Sequence, residues 1–74
     1  MKRTLSREEV QERAEDRWFS MADLADELTL HRASIYRIIE RGELPEGTKI
    51  FGNRKVWFER DVRALKRELC SQAA

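Results

Sequence analysis

Residues 20–42 read SMADLADELTLHRASIYRIIERG, and this stretch predicts two short helices joined by a tight turn. Ser20 is a natural N-cap, and Asp23 occupies the position at which a capping box returns a hydrogen bond. The first helix is expected over residues 20–29. Its apolar face recurs at helical spacing and consists of Met21, Leu24, Ala25 and Leu28.

The second helix is expected over residues 31–41, and its outer face determines what the chain can bind. Three isoleucines form the inner face, and Gly42 stands where a left-handed cap would end the helix. The opposite side carries Ala33, Ser34, Arg37 and Arg41, with Arg32 and Tyr36 on the flanks. Small residues would let the helix enter a groove, and Arg37 can reach a guanine edge with two hydrogen bonds. An ordinary solvated face of an amphipathic helix remains the alternative.

After the second helix, residues 48–58 change to a pattern typical of a β-hairpin. β-branched and aromatic residues flank Gly52 and Asn53, which tolerate the positive φ angles of tight turns. Arg54 and Lys55 are expected to project from the tip. Two side chains of the hairpin are expected to turn inward, namely Ile50 and Trp57.

The order of these elements resembles a known protein family. The residues that carry the resemblance are Leu24-Ala25, residues 28–37, residues 42–45, residues 54–57 and Asp61-Val62. With them, the chain over about residues 18–69 resembles the AlpA-type prophage regulators and small phage excisionases, which are MerR-like winged helix-turn-helix proteins. The resemblance implies a mostly α fold with a small hairpin. It also implies binding of duplex DNA, with the second helix in the major groove and the hairpin, or wing, against the backbone or minor groove.

The resemblance also implies which residues contact DNA. Carried over by position, the base-reading candidates are Arg32, Ala33, Ser34, Tyr36 and Arg37, and the wing contacts are Asn53, Arg54 and Lys55. The expected DNA-binding surface further includes His31 and Arg41 at the ends of the recognition helix and Lys49 on the wing. Two positions depart from the family pattern. Thr29 stands where the family has glycine, and because a β-branched residue is strained in a left-handed conformation, this turn is expected to differ in detail. His31 stands in place of a serine cap and is expected to serve as an imperfect cap or a phosphate contact rather than a metal ligand.

Helices are also expected on both sides of this unit. Ser6 and Glu9 form a capping-box pair that predicts a helix over about residues 6–16, and helical spacing resumes over about residues 60–70. The predicted organisation is therefore an N-terminal helical extension (1–17), a DNA-binding domain (18–70) and a short tail (71–74). The first helix is acidic, so it would avoid DNA; it could contact a neighbouring protein or remain a frayed, solvated helix.

Charge is distributed unevenly along the chain. The net charge is only +1, from 15 Lys and Arg against 14 Asp and Glu. Residues 1–28 hold five basic and eight acidic side chains, whereas residues 29–57 hold six basic and three acidic ones. A basic central segment is consistent with a nucleic-acid-binding face that the overall balance conceals.

A chain of 74 residues forms a single domain with a small core. Its aromatic residues are expected to supply much of that core: Trp18, Phe19, Tyr36, Phe51, Trp57 and Phe58. Both tryptophans are interpreted as packing residues. Phe51 and Phe58 could share the second face of the hairpin, under the N-terminal helix or another protomer. The single cysteine, Cys70, is expected to be buried or half-buried.

The sequence argues against several other classes of function. It contains no nucleophile–base pair, no metal-ligand cluster and no phosphate-cradling loop, so we expect neither an enzyme nor a bound cofactor, metal or small molecule. Without an apolar membrane span or a signal-peptide pattern, a cytoplasmic location is expected. The expected partners are double-stranded DNA and either an integrase or further copies of the chain. Two alternatives remain, the DNA-binding module of a phage small terminase and a protein-interaction module on the same fold.

Overall fold

Four helices and a small antiparallel sheet form the part of the chain described by the computed structural model, residues 2–73. In chain order they are α1 (Arg7–Glu12), β1 (Trp18–Phe19), α2 (Met21–Leu28), α3 (Arg32–Glu40), β2 (Thr48–Phe51), β3 (Arg54–Phe58) and α4 (Glu59–Ser71). The mostly α architecture with a small hairpin is therefore confirmed. The boundaries of α2, α3, the hairpin and α4 agree with the predicted ranges once the cap residues are set apart.

Local sequence signals fix both ends of the α2–α3 unit. The Ser20 hydroxyl accepts a hydrogen bond from the Asp23 backbone N–H, and the Asp23 carboxylate accepts one from the Ser20 N–H, both at 3.1 Å. Gly42 has φ 81°, as predicted for a left-handed cap. The Gly42 N–H donates to the Ile39 carbonyl at 3.0 Å, and the Glu43 N–H donates to the Ile38 carbonyl at 3.2 Å. These paired bonds are those of a Schellman motif, which satisfies the last carbonyls of α3.

The turn between α2 and α3 corrects one prediction. Thr29 adopts the left-handed conformation after all, with φ 56° and ψ 40°. The Leu30 N–H then donates to the Ala25 carbonyl at 3.1 Å, so the turn closes as it would with glycine. The apolar faces of α2 and α3 meet in one core, and this packing outweighs the local cost of a β-branched residue at positive φ.

We expect Thr29→Gly to raise the free energy of unfolding by about 0.5–1 kcal/mol. The substitution removes a left-handed penalty of about 1–2 kcal/mol for a residue with a Cβ, but it adds backbone entropy to the unfolded chain. Chemical denaturation followed by circular dichroism measures the change. Thr29→Ala retains a Cβ and serves as the control, with a smaller gain. A Thr29→Gly variant less stable than the parent would show that the turn is not strained.

The strands form a sheet in the order β1-β3-β2. The two-residue strand β1 was not predicted from the sequence. β1 pairs with β3 so that Trp18 lies opposite Phe58 and Phe19 lies opposite Trp57. Phe19 and Trp57 face the helices and join the main core. The other buried members of this core are Leu24, Ile35, Ile38, Ile39, Leu44, Val62 and Leu65.

Several predicted core positions prove to be exposed. Phe19, Trp57 and Phe58 are buried, but Trp18, Tyr36 and Phe51 are 47%, 56% and 79% exposed. Ile50 is also exposed: the register pairs Lys49 with Lys55, so alternation places Ile50 on the face of the hairpin opposite to the one that carries Trp57. Phe58 at the base of the hairpin and Phe51 at its tip do not share a covered face.

Cys70 is exposed, contrary to prediction. Helix α4 buries Asp61, Val62 and Leu65 and partly buries Leu69. Cys70 follows Leu69 directly, and a step of about 100° around the helix carries it off this buried side.

The N-terminal segment is held against the rest of the fold, and α1 is shorter than the predicted 6–16. Its Ser6–Glu9 capping box is confirmed, but the helix ends at Arg13, which turns towards α4. The Arg13 Nε lies 3.0 Å from Asp61 Oδ2, and Arg13 Nη2 lies 3.3 Å from Asp61 Oδ1. This buried bidentate pair holds the end of α1 against α4.

Candidate nucleic-acid interface

The outer face of α3 presents most of the predicted binding residues to solvent. Four of these residues are exposed and Ser34 is half-buried; the exposed four are Arg32, Ala33, Tyr36 and Arg37. His31 is also exposed and is the N-cap of α3, since its Nδ1 accepts a hydrogen bond from the Ala33 N–H at 3.3 Å. The prediction that His31 serves as a cap is therefore confirmed.

Arg41 lies just beyond the helix and differs from the other arginines of this face. It is the C-cap residue of α3, and its Nη2 lies 2.9 Å from Glu43 Oε2. Arg41 nevertheless lines the same shallow hollow as Ser34 and Arg37, beside Leu30 and Leu69. The fold therefore brings three of the predicted residues together along one side of α3.

The hairpin tip, residues 51–54, carries positive charge into solvent. Gly52 has φ 60° and, with Asn53, forms the two-residue turn between β2 and β3. Arg54, Lys55 and Lys49 are all exposed, and Lys49 lies directly opposite Lys55 in the strand register. Like charges in this position destabilise a hairpin, so this pairing does not contribute to its stability.

Gly47 and Trp57 fix the base of the hairpin next to α3. The Trp57 indole Nε1–H donates to the Pro45 carbonyl at 3.0 Å. A Cβ on Gly47 would lie 2.8 Å from Lys55 Cβ and 2.9 Å from Trp57 Cζ2, so only glycine fits here without displacing a neighbour. Sequence analysis did not single out Gly47, because this close approach depends on tertiary packing.

A small hollow lies where α3 meets the hairpin, and it brings Tyr36 of α3 and Lys55 of β3 to a common border. Two carboxylates, Glu40 and Glu46, also line it. Lys2 Nζ lies 3.3 Å from Glu40 Oε1 and 3.6 Å from Glu46 Oε1. The hydrogen bond to Glu40 raises the pKa of Lys2, and the Thr4 hydroxyl, 3.0 Å from Glu46 Oε2, holds the pKa of Glu46 below its usual range.

The N-terminal segment thus reaches this hollow and offsets negative charge beside α3. Lys2 is a second residue that sequence analysis missed, since its contacts with residues 40 and 46 are remote in sequence. The N-terminal segment also contacts α4 through Asp16. The Arg60 side chain of α4 binds the Asp16 carboxylate, with Nε 2.8 Å from Oδ2, and lowers the pKa of Asp16. These pairs neutralise charge within the fold.

The basic residues of the predicted interface are, by contrast, mostly unpaired. Within residues 2–73, five of them have no carboxylate at salt-bridge distance: Arg32, Arg37, Lys49, Arg54 and Lys55. Basic residues engaged in ion pairs are mostly elsewhere, namely Lys2, Arg13, Arg60, Arg63 and Lys66. Nine basic side chains in residues 2–73 have no such partner, and five of them lie on α3 and the hairpin, where they are available to an anionic partner. The other four are Arg3, Arg7, Arg17 and Arg67.

Comparison with protein families, with curated proteins and with solved structures found no match to this chain. Within residues 2–73, no three His, Cys, Asp or Glu side chains come together as a metal site, and no helix has the length and apolarity needed to cross a membrane. The geometry and charge of this surface are therefore what indicate a function.

Proposed function

We propose that the chain is a winged helix-turn-helix protein that binds double-stranded DNA. The observation that carries the proposal is the set of unpaired cations on α3 and the hairpin. Phosphate contacts supply most of the affinity of a DNA-binding protein, and they require cations that are free of internal partners. On this proposal, α2 and α3 form the helix-turn-helix and the β2–β3 hairpin is the wing.

The dimensions and side chains of α3 suit the major groove. A helix with its side chains is about 10–12 Å in diameter, and the major groove is about 12 Å wide. The N-terminal half of the outer face is small at Ala33 and Ser34, so the backbone can approach the base edges. Arg37, one turn further on, is the residue we assign to a guanine, while the wing cations contact the backbone or the adjacent minor groove.

Within this class we propose an accessory or regulatory role in a prophage or mobile element, either as an excisionase or as an AlpA-like transcription regulator. One helix and one wing read only a few base pairs, which is too little to single out a site in a genome. Neighbouring copies of the chain, or an integrase bound beside it, would supply the additional specificity.

Salt-dependent binding to duplex DNA is the first test. With about four to six phosphate contacts per protomer, we expect the logarithm of the binding constant to fall against the logarithm of salt with a slope of roughly −4 to −5. Fluorescence anisotropy on labelled duplexes at several salt concentrations measures this slope. If no duplex binds even at low salt, the proposal is wrong, and binding to a protein alone would favour the interaction-module alternative.

Substitutions should separate base reading from backbone anchoring. Arg37→Ala is expected to cost about 1–3 kcal/mol on a preferred site and to relax preference at one or two base pairs. Arg54→Ala and Lys55→Ala should weaken binding to preferred and random DNA alike. Each should also make the salt slope shallower by about one unit.

Arg67→Ala is the matched control for these variants. Arg67 is an exposed arginine on α4 that has no salt-bridge partner within residues 2–73, but it lies outside the proposed interface. Its removal lowers the net charge by the same amount and should leave base preference unchanged. If Arg67→Ala matched Arg37→Ala in both affinity and preference, general charge rather than this surface would account for binding.

A further inference from the structure

The hairpin tip holds an aromatic side chain that neither the fold nor the contacts proposed above use. Phe51 is 79% exposed, which is the highest value among the large hydrophobic residues in residues 2–73. It is the last residue of β2, immediately before the Gly52-Asn53 turn. The register irregularity between Lys49 and Phe51 places Phe51 opposite Arg54, and such irregularities redirect side chains at the ends of strands.

The surroundings of Phe51 indicate what could cover it. Arg54 lies opposite Phe51 in the strand register, and both Arg54 and Lys55 line the same groove as Phe51. Neither cation has a carboxylate partner within residues 2–73. An apolar side chain flanked by unpaired cations is complementary to a polyanion that also offers an apolar interior. Duplex DNA has both properties, with phosphates on the outside and stacked bases within.

We propose that Phe51 is a wedge that enters the minor groove and partly unstacks one base step, so that the bound duplex bends. This inference rests on the proposed function, because it specifies how the wing acts on DNA. Side chains such as phenylalanine, leucine and isoleucine act in this way in proteins that kink the duplex towards the major groove.

The geometry of the hairpin fits such a contact. From Trp57 in the core to Arg54 at the tip, β3 extends about 10 Å at the usual rise per strand residue. A ribbon of two strands about 4.8 Å apart, with its side chains, is broader than a minor groove about 6 Å wide. A single phenyl ring at the tip can therefore enter first, and the widening and bending that follow admit the flanking cations to the two backbones.

The test uses the complete chain and a duplex of about 30 base pairs with an A·T-rich centre containing easily kinked TA steps. One adenine is replaced by 2-aminopurine, whose fluorescence rises on unstacking, and the two ends carry a donor and an acceptor dye. Anisotropy, 2-aminopurine fluorescence and energy transfer then report binding, unstacking and bending on the same DNA.

Three variants separate the wedge from other uses of this surface. Phe51→Ala removes the ring, Phe51→Leu keeps an apolar wedge, and Trp18→Ala removes a second exposed aromatic from the groove that Trp18, Ile50, Phe51 and Val56 line. Because Phe51 and Trp18 are exposed, these changes should leave the circular dichroism spectrum unaltered.

We expect the parent and Trp18→Ala to raise both the 2-aminopurine signal and the energy transfer on binding. Phe51→Ala should still bind within about tenfold of the parent, because the wedge contacts largely offset the cost of unstacking. It should lose most of both signals, because the side chain that unstacks the base step is gone. Phe51→Leu should retain an intermediate signal.

If the parent protein binds but leaves the DNA straight and stacked, the wedge is wrong and the proposed function remains intact. No binding at all would overturn both. If Phe51→Ala and Trp18→Ala alike abolished a concentration-dependent self-association of the free protein, this surface would be a contact between copies, and the wedge would be wrong.

Discussion

Arg13→Ala is expected to lower the free energy of unfolding by about 3–5 kcal/mol. The substitution would leave the Asp61 carboxylate, only 8% exposed, without its guanidinium partner. It would also remove the hydrogen bond from Arg13 Nη1 to the Glu9 carbonyl, at 2.9 Å. A buried charge without a partner is costly because the interior cannot replace the solvation that water provides.

The adjacent residue of α4 supplies the matched control. Arg60 binds the Asp16 carboxylate with comparable geometry, but its side chain is 46% exposed. Arg60→Ala is therefore expected to cost no more than about 1 kcal/mol, because solvent screens an exposed pair. Urea denaturation followed by circular dichroism compares the two, with a stabilising osmolyte present if Arg13→Ala is largely unfolded.

Replacing both members of the buried pair tests the mechanism further. An Arg13→Met, Asp61→Leu double variant removes both charges, so it should be less destabilised than Arg13→Ala alone. If Arg13→Ala cost no more than Arg60→Ala, the pair would not be desolvated in solution, and the N-terminal segment would be held by other contacts.

The features that sequence analysis predicted correctly are encoded by residues close together along the chain. The Ser20–Asp23 capping box spans four residues, and the Gly42 cap follows from the end of one helical face. Helix periodicity likewise predicted the inner face of α3, with Ile35, Ile38 and Ile39 buried as expected. Such signals depend on local backbone geometry, so they can be recognised without knowledge of the tertiary contacts.

The features that it missed depend on contacts remote in sequence. Arg13 and Asp61 are 48 residues apart, and nothing near either residue in the sequence indicates that they form a buried pair. Strand β1 has only two residues, too few for an alternating pattern. Ile50 and Trp57 were both expected to turn inward, but the pairing register of the two strands puts them on opposite faces of the hairpin.

The residues of the candidate site also divide into those predicted from local sequence and those that depend on remote contacts. The exposure of Arg32 and Arg37 follows from the helical wheel alone. The contributions of Lys2 and Gly47 do not, because each depends on how the N-terminal segment, α3 and the hairpin pack together. The role of Thr29 was misjudged for a related reason: packing between helices overrode an unfavourable local conformation.

Trp57 is the residue whose loss should most affect the position of the hairpin, and Trp57→Ala is expected to cost about 3–5 kcal/mol. The indole is 5% exposed, lies opposite Phe19 across the sheet and donates to the Pro45 carbonyl. Trp57→Phe should cost about 1–3 kcal/mol, because it keeps most of the apolar contact but leaves that carbonyl without its donor.

Trp18→Ala is the matched control, since it removes the same side chain from the neighbouring sheet position, opposite Phe58. Trp18 is 47% exposed, so its loss should cost about 1 kcal/mol or less. Amide hydrogen exchange provides a second readout: Trp57→Phe should accelerate exchange in the hairpin more than in α2 and α3, because the indole joins the base of the hairpin to the loop after α3. Equal costs for the two tryptophans, or uniformly faster exchange in Trp57→Phe, would show that Trp57 contributes only general core packing and does not fix the hairpin beside α3.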